Sequence, residues 1–298
     1  MIGWEIVMKK QTRRSFIKSL LGGAAAVFGL GTSGYFYAKE IEPVLLDIQS
    51  LDISHPLIPN NFSGIRIIQF SDTHLGFQYT LEQLEQLSKK INKLQPDIVI
   101  FNGDLMDEPN KYRSIEKIIP ILQNIKAPLG KFSVYGNHDH GGYGTEIYKK
   151  VMEDSGFLIL LNESAAISIK GQSLFLAGID DAMLGKPNIE RAIGHIPENA
   201  YKILLSHAPD LADEASQYGI HLQLSGHSHG GQIKIPFFGA LVKPPFAERY
   251  HEGFYKVEGN MPLTLYVNRG LGTTRLPFRF MAKPELTVFT LKKLSDQN

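Results

Sequence analysis

The sequence predicts an α/β fold with a second, strand-rich sheet towards its C-terminal end. Strand-like and helix-like segments alternate through the first two-thirds of the 298 residues, and this alternation is typical of a parallel sheet covered by helices. The last third is dominated by strand-like segments, which predicts the second sheet. With 43% hydrophobic residues, the chain has the composition of a globular protein and not of a disordered one.

The composition limits the chemistry that the protein can carry out. The chain has no cysteine, so disulfides and thiolate metal ligands are excluded, and any metal must be held by oxygen or nitrogen donors. The formal net charge is +1. A chain so evenly balanced gives no reason to expect a specific nucleic-acid partner.

Residues 1–38 have the layout of an export signal. Basic residues, among them Lys9 and Lys10, precede an uncharged run from residue 19 to residue 38 that is rich in glycine and alanine. The segment Thr12-Arg13-Arg14-Ser15-Phe16-Ile17-Lys18 resembles the consensus of a twin-arginine signal. We therefore expect export through the twin-arginine translocase.

Two other interpretations of this segment remain open. The uncharged run is about long enough to span a bilayer and ends without an Ala-x-Ala cleavage site, so a retained membrane anchor also fits. A buried core helix fits less well, because five glycines lie between Gly22 and Gly34. Met8 opens a compact basic segment and is an alternative translation start.

The rest of the chain divides into a leading strand and loop at residues 39–62 and one folded domain at residues 63–298. Short apolar runs predict buried strands at residues 65–70, 97–102, 131–135, 201–205 and 221–224. Thr80 and Gln83 form a capping box, and apolar residues then recur at helical spacing to Leu94. Further helices are predicted at residues 114–126, with Pro120 starting or kinking the helix, at 145–155 and at 209–218. Further strands are predicted at 43–53, 157–179, 232–235, 263–268 and 286–291.

Five of the predicted strands end in side chains that can bind a metal. In α/β sheets, ligands bind outside the carboxyl ends of the strands, so we expect these side chains at one rim. They are Asp72 and His74, Asp104, Asn137, His207, and His227 with His229.

The spacing and the residue types indicate a site for two metal ions. Residues i and i+2 of an extended chain point to the same side, so Asp72 can share a site with His74, and His227 with His229. Glycines at positions 103, 136 and 226 let the backbone turn tightly beside these residues. Carboxylate, amide and imidazole donors together suit Mn, Fe or Zn better than Ca or Mg. Seven donors exceed one tetrahedral site and fit two ions that share a carboxylate.

As an ordered set, these blocks resemble the signature of the calcineurin-like metallophosphoesterase family. The set is Asp72-x-His74, Gly103-Asp104-x-x-Asp107, Gly136-Asn137-His138-Asp139, His207 and Gly226-His227-x-His229. The export signal, the compact length and the segments at residues 136–144 and 226–233 resemble, more narrowly, an exported twin-arginine branch of that family. This resemblance runs from the twin-arginine head to the segment at residues 266–280. The resemblance implies an α/β fold of the four-layer αββα sandwich type, with two central sheets flanked by helices.

The resemblance also implies a role for each residue of the signature. Asp72, His74 and His229 would hold the first metal, Asn137, His207 and His227 the second, and Asp104 would bridge both. His138 would be the general acid, oriented by Asp139. Asp107 would support the site without binding metal.

Several polar residues outside the signature are ambiguous. His140 either contacts substrate or lies in a solvated loop. Residues 240–283 carry seven basic and three acidic residues, which fits a phosphate-binding surface, a solvated surface or a contact with anionic cell wall. Arg269 is the best candidate for phosphate, because it follows a strand and guanidinium suits phosphate oxygens. We expect Asp180 and Asp181 in a turn. Structural or surface positions are expected for His55, His195, His221 and His251.

The resemblance implies a hydrolase of phosphoester bonds that uses two divalent metal ions. It favours phosphodiesters, and the candidate substrates are wall polymers, lipid headgroups and nucleotides. The export signal places the enzyme in the cell wall, outside the cell or on the outer face of the cytoplasmic membrane. A metal-holding scaffold and a cell-wall-binding module are the alternatives from other function classes.

Overall fold

The computed structural model describes residues 13–140 and 144–294, apart from the side chains of residues 24–27 and 30. The basic start of the predicted signal, including Met8, Lys9, Lys10 and Thr12, lies outside the described residues. Residues 141–143, which follow the GNHDH segment, also lie outside them.

The described part of the chain forms fourteen strands and seven α-helices. The strands are β1 (Asp47–His55), β2 (Arg66–Phe70), β3 (Ile98–Phe101), β4 (Lys131–Ser133), β5 (Leu158–Ile159), β6 (Glu163–Ile169), β7 (Gln172–Gly178), β8 (Lys202–Leu205), β9 (Leu222–Ser225), β10 (Lys234–Ile235), β11 (Gly239–Ala240), β12 (Gly253–Val257), β13 (Leu263–Val267) and β14 (Glu285–Lys293). The helices are α1 (Arg13–Phe36), α2 (Leu81–Lys93), α3 (Ile115–Gln123), α4 (Asn137–His140), α5 (Thr145–Asp154), α6 (Ile189–Ile193) and α7 (Ala212–Ala215).

The strands build two mixed six-stranded sheets and a small separate hairpin. The first sheet has the order β1-β14-β2-β3-β4-β5, in which β2 to β5 are parallel and β14 is antiparallel to β2. The second has the order β12-β13-β9-β8-β7-β6, with a parallel centre and an antiparallel strand at each edge. β10 and β11 pair with each other as the hairpin.

Three apolar cores stack these layers in the order helix, sheet, sheet, helix. α2, α3 and α5 pack on the outer side of the first sheet. The two sheets face each other across a central core, and α6 and α7 cover the outer side of the second sheet. The predicted four-layer αββα sandwich is therefore confirmed.

The central strand β3 is apolar at every position because both of its faces are covered. In β3, Ile98 and Ile100 enter the core between the sheets, whereas Val99 and Phe101 enter the core beneath the helices. Successive side chains of a strand point to opposite faces. A strand that is covered on both faces therefore needs an apolar residue at each position.

Most predicted elements form, with local differences. Thr80 and Gln83 make the expected capping box at the start of α2, and Pro120 lies inside α3. The helix expected at residues 209–218 is a 3-10 turn, Pro209–Leu211, followed by the four-residue α7. After α7 the Gln217 and Tyr218 N–H groups donate to the Glu214 and Ala215 carbonyls as tighter turns, and the chain then reaches Gly219, whose φ is 65°. The strand expected at residues 232–235 is reduced to β10.

The leading segment belongs to the first sheet. β1 pairs in parallel with β14 along its nine residues, from Asp47 opposite Glu285 to His55 opposite Lys293. The chain therefore reaches the sheet edge before it enters the α/β units that carry the metal-binding signature.

Residues 13–36 of the predicted export segment form α1, which exposes apolar side chains. Phe16, Leu20 and Phe28 are all more than half exposed. Within residues 13–140 and 144–294, no helix combines the length and the apolar character needed to cross a membrane. At its C-terminal end α1 contacts the domain, where the Tyr35 and Phe278 rings lie 5.2 Å apart.

Candidate metal centre

The predicted ligands meet where central strands of both sheets have their carboxyl ends. Asp72 and Asp104 follow β2 and β3 of the first sheet, and His207 and His227 follow β8 and β9 of the second. The Asn102 side chain ties the sheets together below these residues. It donates to the Leu224 carbonyl at 2.8 Å and accepts from the Gln69 amide at 2.9 Å.

Two groups of three side chains offer ligand atoms close enough to share an ion. The ligand atoms of each group lie within 4.8 Å of one another, and the groups are Asp72, His74, His229 and Asp104, His207, His227. A third combination, His74, Asp104 and His138, meets the same distance and overlaps both groups. In the first group the Nε2 atoms of His74 and His229 are 3.1 Å apart. In the second, His207 Nε2 is 3.1 Å from His227 Nδ1.

Asp104 lies between the two groups. Its Oδ2 is 3.6 Å from His74 Nε2 and 3.3 Å from His207 Nε2. Its other oxygen, Oδ1, accepts a hydrogen bond from the His138 backbone N–H at 2.8 Å. One carboxylate oxygen therefore faces an imidazole of each group, which is the position that a bridging ligand needs.

Oxygen atoms around the cluster fix the tautomers of three histidines. The contacts are His74 Nδ1 with Asp107 Oδ1 at 3.1 Å, His207 Nδ1 with the Asn102 carbonyl at 2.6 Å, and His227 Nε2 with the Pro245 carbonyl at 2.9 Å. Each oxygen accepts an N–H, so the other nitrogen of a neutral ring presents its lone pair to the cluster. Partners of this kind orient metal-binding histidines.

His229 has a similar carbonyl partner and also a buried arginine. Its Nδ1 is 3.3 Å from the Gly272 carbonyl and 3.4 Å from Arg279 Nη2. The Arg279 side chain is fully buried and donates to the carbonyls of Gly272, Ala282 and Arg269. Burial lowers the pKa of Arg279 to about 10. The guanidinium thus holds the loop that supports His229.

Five of the predicted ligand residues share a strained backbone conformation. Asp72, His74, Asp104, His227 and His229 have φ values between 44° and 69°. For residues other than glycine, the left-handed region costs roughly 1–3 kcal/mol each, and such residues concentrate at functional sites. The surrounding fold must therefore hold these residues in place, which indicates a site and not a chance cluster.

Two glycines are required by the close approach of backbone to carboxylate. A Cβ at Gly226 would lie 2.6 Å from Asp72 Oδ2, and one at Gly136 would overlap the Asp104 carboxylate. Any side chain at these positions would displace a ligand. This is the physical reason for the glycines in the signature.

Asn137 provides a direct indication that a cation fits. It begins α4 and lines the cleft that Asp104, His227 and His229 also line. Its Oδ1 is buried and has no hydrogen-bond partner within residues 13–140 and 144–294. An unsatisfied buried oxygen is costly, and a metal ion would satisfy it.

The charges within the cluster are strongly interdependent. Burial opposes a charge on His207, but the Asp104 carboxylate outweighs burial and raises the pKa of His207 to about 10. Burial, followed by the neighbouring His74, holds the pKa of His229 well below its ordinary value. The buried carboxylates thus attract positive charge at the centre of the cluster, while His229 stays neutral and able to bind a metal.

His138 lies at the edge of the cluster and lines the cleft. Its Nδ1 is 2.7 Å from the Asp107 carbonyl, which leaves Nε2 to face the cleft. The ring packs edge-on against His74, with centroids 4.5 Å apart. Burial opposes protonation, but the negative charge of Asp104 and the contacts with Asp107 outweigh it and raise the pKa of His138. A protonated ring in this position can donate a proton to a leaving group.

The partner of His138 differs from the sequence expectation. The Asp139 carboxylate, expected to orient His138, instead accepts hydrogen bonds from the backbone N–H groups of Asp104, Leu105 and Gly136 at 2.7–3.0 Å. The turn of α4 directs this buried carboxylate inward. Asp139 therefore holds the loops after β3 and β4 together.

Sequence comparison decides the family. The calcineurin-like phosphoesterase model matches residues 65–231. The chain belongs to the calcineurin-like metallophosphoesterase family. It is 45% identical over 286 residues to the uncharacterized metallophosphoesterase YkuE of Bacillus subtilis (strain 168), covering 96% of this chain and 99% of that protein. It is 27% identical over 309 residues to the UDP-2,3-diacylglucosamine pyrophosphatase LpxG of Chlamydia trachomatis, covering 85% and 91%. The solved structure of TT1561 from Thermus thermophilus shares 14% identity and a TM-score of 0.44, covering 70% and 91%.

This metallophosphoesterase is therefore a hydrolase of phosphoester bonds. Its clusters of histidine and aspartate correspond to the dinuclear metal site of the family. Asp107 supports this site from two sides, because its carboxylate contacts His74 and its carbonyl contacts His138.

His140 pairs with Asp180 beside the cluster of candidate metal ligands. Its Nε2 is 2.6 Å from Asp180 Oδ1, and its ring stacks on Tyr135 with centroids 4.7 Å apart. Asp180 also accepts the backbone N–H of Lys186, and Asp181 accepts two N–H groups of the same turn. The two aspartates therefore have the turn role that the sequence predicts.

Arg269 contacts carboxylates within the fold. Its Nε donates to Glu285 Oε2 at 2.5 Å and its Nη2 to Asp47 Oδ2 at 2.7 Å. The guanidinium therefore joins the starts of β1 and β14, and its charge is used there. Arg249 likewise pairs with Asp213, so much of the basic excess at residues 240–283 is engaged internally.

The remaining histidines occupy the structural or surface positions expected of them. His55 and His221 pack against Tyr201, with ring centroids 4.9 and 5.2 Å away. His195 is exposed, and the His251 carbonyl accepts a hydrogen bond from Ser228.

No sequence motif marks the upper wall of the cleft. Apolar residues dominate it, and they include Met183, Ile233, Leu241, Val242 and Leu276. Most come from the hairpin and loops between β9 and β14, a region whose clearest feature in the sequence is its basic charge. The apolar run at residues 235–242 was the signal that could have located this wall.

Proposed function

We propose that the protein is a two-metal phosphodiesterase that acts outside the cytoplasmic membrane. The position of Asp104 Oδ2 between an imidazole of each group is the observation that carries this proposal. The unpaired Asn137 oxygen and the fixed tautomers give further support, since they fit ligands prepared for cations.

The proposed ligand sets follow the two halves of the cluster. Asp72, His74 and His229 would hold one ion, Asn137, His207 and His227 would hold the other, and Asp104 would serve both. Divalent ions in such a site supply Lewis acidity and make water nucleophilic near neutral pH. The nitrogen and oxygen donors suit Mn, Fe or Zn.

The protein's own residues position the substrate and move a proton. His138 faces the cleft, and the Asp107 carbonyl holds its Nδ1–H, so its Nε2–H is placed to protonate the leaving alkoxide. The apolar wall limits water above the cluster, which strengthens the interactions of the phosphoryl oxygens with fixed charges.

The cleft favours a substrate with an apolar part. Its wall carries five apolar side chains directly above the polar cluster. The relative LpxG is named for the hydrolysis of a pyrophosphate in a diacylglucosamine compound. Among wall polymers, lipid headgroups and nucleotides, these two observations favour a lipid-linked phosphoester.

Turnover of bis-p-nitrophenyl phosphate tests the proposed reaction. We expect the manganese-loaded protein to hydrolyse it, a chelator to abolish the activity, and added manganese to restore it. Absence of turnover with two ions bound per chain would favour the scaffold alternative and contradict the proposal.

Export through the twin-arginine route is the second part of the proposal. Ligands from two sheets meet only in the folded chain, so metal binding and folding are coupled. Export of a folded chain would let the cytoplasmic metal pool select the ions. We expect Arg13→Lys with Arg14→Lys to leave active, metal-loaded enzyme in the cytoplasm. Cell fractionation with metal analysis tests this, and normal export of the double variant would contradict it.

A further inference from the structure

The rim of the cleft ends in a hairpin whose tip exposes two phenylalanines. β10 and β11 are joined by Pro236, Phe237 and Phe238. The relative exposure of Phe237 is 105% and that of Phe238 is 88%, so both rings project into solvent. Phenylalanine is usually buried, and adjacent exposed apolar residues mark an interaction surface.

The apolar surface continues from this tip to the cleft. Ile235 in β10 is 40% exposed, and Leu241 and Val242, which follow β11, are 58% and 60% exposed. Leu241, Val242 and the 49% exposed Leu276 also line the cleft above the metal cluster. One apolar surface therefore runs from the hairpin tip to the candidate site of hydrolysis.

The exposed helix α1 joins the domain beside the same hairpin. The Phe280 N–H donates to the Gln232 carbonyl and the Phe280 carbonyl accepts from the Lys234 N–H, each at 2.9 Å. The Phe280 ring also lies 6.3 Å from the ring of Tyr37, which directly follows α1. One residue thus connects the hairpin base to the end of a helix that exposes apolar side chains.

Cationic side chains border the apolar surface. Lys243 follows Val242, Arg275 precedes Leu276, and both cations are exposed. Aromatic side chains settle at the interface between bilayer and water, and nearby basic residues are attracted to anionic headgroups. The combination therefore complements an anionic lipid surface.

We propose that Phe237 and Phe238 insert into an anionic bilayer and that the cleft receives a lipid phosphoester headgroup from it. The hairpin and the end of α1 would then approach the bilayer together, with the metal cluster facing the headgroups. The substrate part of this proposal rests on the proposed phosphodiesterase function, whereas the insertion part does not.

Tryptophan fluorescence of the full-length, manganese-loaded protein tests insertion directly. The chain has one tryptophan, Trp4, so Trp4→Phe with Phe237→Trp places the only reporter at the hairpin tip. With vesicles that contain phosphatidylglycerol and bromine-labelled acyl chains, we expect a blue shift and strong quenching. In a matched control, Trp4→Phe with Leu158→Trp, the reporter lies in β5 at a sheet edge, 50% exposed in the parent. We expect no quenching there. Absence of quenching at the hairpin tip on vesicles that bind the protein would overturn the proposal.

Two diesters that share the p-nitrophenol leaving group test the substrate class. Phe237→Ser with Phe238→Ser should leave turnover of soluble methyl p-nitrophenyl phosphate unchanged, because neither ring lines the cleft. Turnover of hexadecyl p-nitrophenyl phosphate in anionic vesicles should fall at least about tenfold, because two buried aromatic side chains contribute strongly to partition. Unchanged vesicle turnover would overturn the proposal and assign the surface to a protein partner. If the parent protein cleaves neither diester, the proposed function fails, and the quenching result still decides insertion.

Discussion

The floor and the rim of the cleft differ in burial and in polarity. The floor consists of buried polar side chains, with five candidate ligand residues held in the left-handed region and histidine tautomers fixed by oxygen atoms. The rim consists of exposed apolar side chains on a short hairpin and its flanking loops. The fold therefore holds strained backbone where the candidate metal ligands converge and leaves apolar surface exposed at the rim.

Removal of Asp104 should damage the floor most severely. Asp104→Ala deletes the oxygen that faces both histidine groups, so we expect loss of both ions and of all measurable activity. Elemental analysis and turnover check this, with Asp154→Ala, an exposed carboxylate in α5, as the control. Two ions per chain in folded Asp104→Ala protein would show that the carboxylate is not a bridge.

Removal of His138 should separate chemistry from metal binding. We expect His138→Ala to keep both ions and to lose roughly 10²–10⁴-fold in rate, the usual contribution of an acid catalyst. The loss should shrink for substrates with good leaving groups, because these need little protonation. A rate series over leaving-group pKa checks this, and an equal loss across the series would exclude the acid role.

Substitution of Asp107 should have a smaller effect, and only on metal binding by the group that contains His74. Asp107→Asn removes the charge that holds His74 Nδ1, and loss of such a partner costs roughly 10–100-fold in metal affinity or activity. Stepwise metal titration should show one weakened ion and one unchanged ion, because His207 and His227 rely on backbone carbonyls. Equal weakening of both ions would contradict this division.

The pair of His140 and Asp180 should have the smallest effect, on stability. Burial opposes a charge on His140, but the Asp180 carboxylate outweighs burial and raises the pKa of His140 above 6.5. Burial likewise opposes a charge on Asp180, but the contact with His140 outweighs burial and lowers the pKa of Asp180 below 3.8. The contribution of His140 is therefore full below about pH 6.5 and is lost as pH rises through its raised pKa. The contribution of Asp180 is full above about pH 4 and is lost as pH falls through its lowered pKa.

We expect Asp180→Asn to lower the free energy of unfolding by about 1 kcal/mol near pH 5.5 and by less near pH 9. Urea unfolding of the metal-loaded protein at both pH values measures the difference. The exposed pair of Lys150 and Asp154 provides the control, since Asp154→Asn should change stability by at most about 0.5 kcal/mol. A pH-independent difference for Asp180→Asn would exclude the ion pair.

The sequence predicted the residues at the floor of the cleft better than it predicted the contacts that hold them in place. The convergence of the candidate ligands was predictable because each follows a buried apolar strand, and the carboxyl ends of such strands meet at one rim. Their binding of metal stays a prediction. The role of Asp139 was predicted wrongly, because adjacency to His138 suggested contact, whereas the turn of α4 directs Asp139 to the backbone of two other loops. The buried Arg279 beside His229 gave no local signal, since its partners are carbonyls brought together only by the fold.

The sequence predicted the layers of the fold and not every pairing within it. Apolar runs and helical spacing located the central strands and α2, because local patterns determine them. The parallel pairing of β1 with β14 joins segments at opposite ends of the chain, so no local pattern reveals it. The exposure of Phe237 depends on a hairpin with two-residue strands, which is too short to leave a periodic signal.

Anomalous scattering from crystals of the manganese-loaded protein would locate the two ions directly. We expect two manganese peaks, one bound by Asp72, His74 and His229 and the other by Asn137, His207 and His227. Both peaks should lie within bonding distance of the Asp104 carboxylate. A single fully occupied peak, or two peaks without Asp104 between them, would contradict a two-metal site bridged by Asp104.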